Sequence, residues 1–388
     1  VTGGAVVRIL IAPDSFKGCL TALEVGNALK DGILSVCSEA VVDVVPMADG
    51  GEGTVRSLVD ASSGKILTAE VLDPLGRPVT AEYGIMGDGH TAVIEMAAAS
   101  GLPLLKDYER NPRVTSTYGT GQLIEAALDA GATKLIVGIG GSATNDGGAG
   151  MAQALGARLL DRSGNEIQRG GAALKDLAAI DVSGMDSRLS DVEIIVACDV
   201  TNPLTGPKGA TAVYGRQKGA TEEMIEELDR ALANYARVIR EQLHKDVEDV
   251  SGAGAAGGLG AGMLAFLNAA LRPGVDIVIE ATRLADRVTG CDLVITGEGR
   301  LDSQTSHGKT PMGVARVARA QNVPVVGVAG QVAADAEVLY DLGFSALVPI
   351  ADGPMTLEES FERAGELLRR TGARIMRLIG LGASYRQA

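Results

Sequence analysis

Apolar residues along this chain fall into repeating blocks: a short β-branched run, a glycine-rich polar loop, then an apolar stripe at helical spacing. Residues 6–12 read as a strand, 13–20 as the loop that leaves it, and Thr21 with Glu24 as the capping box of a helix reaching about Ile33. A strand over 40–46, a loop over 47–53 and a helix over 54–61 repeat the pattern, which is how a parallel sheet begins. From Ile66 to Met96 the pattern changes to extended segments (71–72, 79–85 and 91–96) with a hairpin-type turn at 87–90, so an antiparallel insertion and a domain crossing near residue 66 are predicted. A helix over 121–129, a strand over 134–139, a helix over 149–160, a strand over 192–198, a long charged helix over 222–244 and a helix over 263–271 follow. The last third returns to the opening style. It has strands at 292–296, 324–329 and 346–350, a helix opening at Pro311, and a final helix capped by Thr356 with Glu359 that ends near Ile379.

The predicted fold class is therefore α/β, with two α/β domains. Residues 1–65 and 287–388 form one parallel-sheet domain that is discontinuous in sequence, and 66–286 form an inserted domain with a mixed sheet. The active site is expected in the cleft between them. The length of 388 residues agrees with about two or three domains. The 52 glycines cluster after strand-like runs, so they read as loop chemistry rather than linker. A net charge of −14 and the lack of a basic stripe with aromatics exclude nucleic acid as a partner. Four scattered cysteines, no signal-peptide pattern in the first residues and no long apolar run point to a cytoplasmic protein with no membrane partner.

The loops that follow the strands share one mixture of carboxylates, glycines, hydroxyls and cations. The carboxylates are Asp14; Asp49 with Glu52; Asp146; Asp199; and Glu298 with Asp302, and the cations include Lys17, Arg300 and Lys309. Phosphoryl transfer asks for this mixture, because phosphates need backbone N–H groups and Lys or Arg, a metal needs oxygen ligands, and an attacking hydroxyl needs an acceptor. The strand–loop–helix at 134–160, with six glycines from Gly138 to Gly150, reads as an anion-binding loop. Three histidines are too few for His-led acyl transfer, and His307 reads as an ordinary loop residue. Gly308-Lys309-Thr310 ends like a P-loop, but Ser303 stands where its first glycine belongs and Pro311 follows, so that motif is set aside. Gly252, Gly254 and Gly257 form a dinucleotide-type spacing after a helix instead of a strand, and read as close packing.

Five blocks resemble the bacterial type I glycerate kinases: 12–18 (APDSFKG), 46–54 (PMADGGEGT), 140–150 (GGSATNDGGAG), 198–210 (CDVTNPLTGPKGA) and 297–311 (GEGRLDSQTSHGKTP). They occur in order along nearly the whole chain, with Cys19 a small departure where serine is expected. The resemblance implies phosphorylation of D-glycerate with ATP and Mg²⁺, usually to 2-phosphoglycerate, a Rossmann-like discontinuous domain, and work in glyoxylate or sugar-acid catabolism. A homodimer is the candidate assembly. On this reading Asp199 or Asp14 accepts the hydroxyl proton and Lys17 assists. Ser15, Arg300, Asp302 and Lys309 hold the substrate, while Gly140, Gly141, Ser142, Thr144, Asn145 and Asp146 cradle the nucleotide phosphates. Asp49, Glu52 and Glu298, with Asp302 in reserve, supply the metal ligands. The competing classes are a nicotinamide-dependent 2-hydroxyacid dehydrogenase, which wants a fingerprint directly after a strand, and a non-catalytic sensor of phosphorylated metabolites, which wants fewer converging carboxylates.

Overall fold

The computed structural model describes residues 6–306 and 308–385; the expectations for the first five residues and for His307 lie outside the described residues. In chain order the strands are β1 (Arg8–Ile11), β2 (Val41–Val44), β3 (Lys65–Leu72), β4 (Pro78–Ile85), β5 (Thr91–Glu95), β6 (Lys134–Gly138) and β7 (Arg158–Leu160). They continue as β8 (Ala179–Asp181), β9 (Glu193–Ala197), β10 (Ala270–Arg272), β11 (Leu293–Leu301), β12 (Val325–Val332) and β13 (Ala346–Pro349). Two compact units divide them: one takes the chain up to Asp49 and from Val275 onwards, the other runs Gly50–Gly274. The sequence reading drew these boundaries at residues 65 and 287. The first shift has a packing cause, since the helix Thr54–Ser62 packs on β4 and β5 of the second unit.

The first unit is one parallel sheet in the order β13-β12-β11-β1-β2. Counted within the unit this is 2-1-3-4-5, a doubly wound arrangement whose direction of winding reverses between β1 and β11. Right-handed crossovers running in opposite directions put helices on both faces. Ala22–Leu34 and Ala364–Tyr385 pack together over a core of Ile9, Ile11, Leu29, Leu367 and Leu368, and Thr310–Ala320 packs against β11 and β12. The capping box predicted at Thr21 is present, with Glu24 N–H donating to Thr21 Oγ1 and Thr21 N–H donating to Glu24. The predicted final helix is two helices, Leu357–Glu362 and Ala364–Tyr385.

The second unit holds a mixed sheet in the order β10-β9-β6-β5-β4-β3, antiparallel at its β3 and β4 edge and parallel elsewhere. The helix predicted over 149–160 is corrected here: it stops at Ala154, and β7 pairs with β8. The cause is Gly156, at φ +98° and packed so closely on the Gly184 carbonyl that a Cβ would collide with it. The predicted 263–271 helix instead ends at Leu267 and belongs to a helical segment, Ala255–Leu267, that is kinked by left-handed backbone at Ala256, Gly257 and Gly258, with β10 following.

Candidate active site

Ligands of doubly wound sheets bind beyond the carboxyl ends of the strands where the winding reverses. In the first unit that point lies between β1 and β11. Pairing there continues past the strand end, with Ala12 N–H donating to Ile295 O and Asp14 N–H donating to Gly297 O. β11 itself runs on to Leu301, so Glu298 and Arg300 stand on a strand that the sequence reading treats as a loop. The period of two then puts Glu298 and Arg300 on one face, while Leu301 turns into the core.

Asp14, Ser15, Lys17, Asp49, Glu298, Arg300, Asp302 and Lys309 line one cavity of about 460 Å³. Asp14 is 6% exposed. Its Oδ2 accepts from Thr310 Oγ1 at 2.6 Å and its Oδ1 from the Ser15 N–H at 2.6 Å. Burial pushes its pKa up to about 6, and the charges of Asp49 and Glu298 push the same way against the two hydrogen bonds. Glu298 is also raised, first by burial and then by Asp302 and Asp49. Against it stand Lys309, 3.7 Å away, and Thr305 Oγ1, which donates at 2.9 Å. Arg300 Nε lies 3.2 Å from Asp302. Thr310 and Thr305 bond to the candidate carboxylates Asp14 and Glu298 and are absent from the sequence reading, because these contacts are fixed by the fold. The one usable signal for Thr310 is its position at the first turn of a helix.

The remaining predicted residues belong to the second unit and do not line this cavity. Asp199 is exposed, and its Oδ1 accepts from Gly274 N–H at 2.9 Å. Glu52 is exposed. In the glycine-rich loop only Gly140 and Gly141 reach the surface; Ser142, Thr144, Asn145 and Asp146 are buried. Asp146 is turned inward, accepting from the N–H and Oγ1 of Thr117 and from the N–H groups of Gly148 and Gly150, and burial raises its pKa. Lys218, also buried, donates to Thr144 O at 2.6 Å, and burial pulls its pKa down to about 7 against the pull of Asp146. Of Gly252, Gly254 and Gly257, only Gly257 packs onto this loop, at φ +68° where a Cβ would strike the Thr144 carbonyl; Gly254 packs on the Pro203 carbonyl, and Gly252 sits at φ +89° against Cys198. Close packing thus accounts for those glycines, and the dehydrogenase alternative loses its sequence support.

A divalent cation fits the donor set of the first unit, for Asp49 and Glu298 are hard oxygen donors lining one cavity, and the Asp49 charge raises the pKa of Glu298. Among the described residues no three acidic, His or Cys side chains form a ready-made ligand cage. Mg²⁺ is commonly held by one or two carboxylates, with waters and substrate phosphates as its other ligands.

A model of the glycerate kinase family matches residues 9–380. The chain is 57% identical over 375 residues to a glycerate kinase of Bacillus subtilis strain 168, with 97% of this chain and 98% of that one covered. It is 52% identical over 376 residues to glycerate 2-kinase of Escherichia coli K12, covering 97% and 99%. Its fold matches the crystal structure of a chain assigned as glycerate kinase 2 from Salmonella typhimurium LT2 with a TM-score of 0.91 and 51% identity, covering 98% and 100%. Agreement in sequence and fold across nearly the full length establishes that this chain belongs to the glycerate kinase family.

Proposed function

We propose that the chain transfers the γ-phosphoryl group of ATP to the 2-hydroxyl of D-glycerate, giving 2-phosphoglycerate and ADP. The observation that carries the site assignment is a buried carboxylate, Asp14, with a pKa raised to about 6, facing cations and further carboxylates in one cavity. A general base works best with a pKa near the operating pH, which suits Asp14 as acceptor. The substrate hydroxyl oxygen attacks the γ-phosphorus, the bond to the β-bridging oxygen breaks, ADP leaves, and the hydroxyl proton passes to Asp14. Thr310 and the Ser15 N–H hold the carboxylate in position. Lys17, Arg300 and Lys309 offer charge to the substrate carboxylate and the transferring group. The helix Thr310–Ala320 begins beside them and adds its N-terminal dipole. Asp49 and Glu298 would hold Mg²⁺, which when bound neutralises phosphate charge. The reading also takes the enzyme as cytoplasmic, in keeping with four free cysteines, and as a homodimer, which sedimentation reads directly.

The test is coupled ADP release with ATP, Mg²⁺ and D-glycerate, beside L-glycerate and glycolate, with phosphorus NMR of the product. Turnover confined to D-glycerate with a 2-phospho signal is expected. No turnover by folded, ATP-binding protein would sink the assignment, and a 3-phospho signal would overturn its regiochemistry.

A further inference from the structure

The lining of the first unit's cavity is of two chemical kinds. Asp14, Glu298, Arg300 and Lys309 make one, and Phe16, Ile350, Leu357, Phe361 and Ala364 make the other. We propose that the apolar lining is the subsite for the purine base of the nucleoside triphosphate donor, with Phe361 as the face on which the base lies. This rests on the polar lining being the phosphoryl-transfer site.

Three observations carry it. A volume of about 460 Å³ exceeds the need of a three-carbon acid and lies within the roughly 300–1,000 Å³ of pockets for larger ligands. Leu357 is 66% and Phe361 43% exposed on the short helix Leu357–Glu362, although Phe16, Ile350 and Ala364 beside them are buried. The apolar pair therefore stands at a cavity wall with its surface still to be covered. The helix is also tied to the loop that carries Asp14: Cys19 Sγ donates to Phe361 O at 3.4 Å, and Gly18 lies against the Phe361 ring. One loop thus runs from the acid at one end to the aromatic at the other. Ser360 and Gln331 line the same cavity and can meet the hydrogen-bonding edge of a base.

Calorimetry on the full chain tests this with two probes, ADP and tripolyphosphate, which lacks a base. Phe361→Ala is expected to weaken ADP about tenfold, the scale of one base–aromatic contact, and to leave tripolyphosphate unchanged. Leu357→Ser, at a more exposed position, repeats the test should the first variant fold poorly. Unchanged ADP affinity in both variants, equal weakening of both probes, or no ADP binding by the wild type would overturn the subsite. Intact, Phe361-dependent ADP binding without turnover of glycerate would instead sink the kinase reading and leave the subsite standing.

Discussion

Asp14 sits between opposing influences: burial and two neighbouring carboxylates raise its pKa, and bonds from Thr310 and the Ser15 N–H lower it. Thr310→Val removes the larger of those bonds while keeping the shape of a buried side chain. The carboxyl then protonates at higher pH, so the acid limb of kcat/KM, expected near pH 6 in the wild type, should move upward. An unmoved limb would show that Asp14 is not the titrating base. Lys218 offers a second titration, remote in role. Its folded pKa of about 7 lies below the ordinary lysine value of 10.5, so between those values the unfolded chain holds a proton that the folded chain has shed. Stability relative to Lys218→Met should therefore rise as pH climbs from 7 towards 10, read as a widening difference in thermal midpoint. A flat difference would mean that the amine stays charged inside. Asp14 was legible in the sequence because it follows a hydrophobic strand directly. Thr310 was not, since it meets Asp14 across 296 positions of chain. Thr144, Asn145 and Asp146 show the reverse: composition marks a polar, glycine-rich loop but not which way its side chains turn, and all three are buried, Asp146 on Thr117, Gly148 and Gly150 and Asn145 on Thr211.

At the scale of elements, the glycines that interrupt 297–301 hid a strand. Gly297 and Gly299 are polar-loop residues by composition, yet the alternation of Glu298, Arg300 and buried Leu301 is that of β11 continuing beside β12. The capping boxes at Thr21 and Thr356 were readable because they are local, three residues from donor to acceptor. The end of the helix Ala149–Ala154 was not, because Gly156 is held in place by Gly184, far along the chain. The packing of the helix Ala255–Leu267 on the glycine-rich loop gives a direct test. Gly257→Ala adds a Cβ at a positive φ and against the Thr144 carbonyl. It should cost at least about 1 kcal/mol, seen as a fall in the thermal midpoint of at least ~2 °C. An unchanged midpoint would remove close packing as the reason for these glycines.

For the molecule as a whole, a chain that leaves one sheet, builds a second unit over Gly50–Gly274 and returns puts sequence-distant loops side by side at the winding reversal of the first unit. The alternation of strand and helix predicts parallel sheets, but strand order is a non-local property, and no periodicity shows that β11 pairs with β1. If the reversal is the working site, Mg²⁺ and ADP should slow hydrogen exchange at residues 13–20 and 298–306; protection confined to the second unit would place the chemistry elsewhere. The most direct test is the turnover number of Asp14→Asn in the ADP-release assay, with Asp199→Asn as its control. Asn keeps the shape of the side chain and loses the proton acceptor, so kcat should fall by about 10²–10⁴, while Asp199→Asn stays within about tenfold of the wild type. An Asp14→Asn enzyme that folds, binds ATP and turns over within a few-fold of the wild type would contradict the assignment of Asp14 as the base.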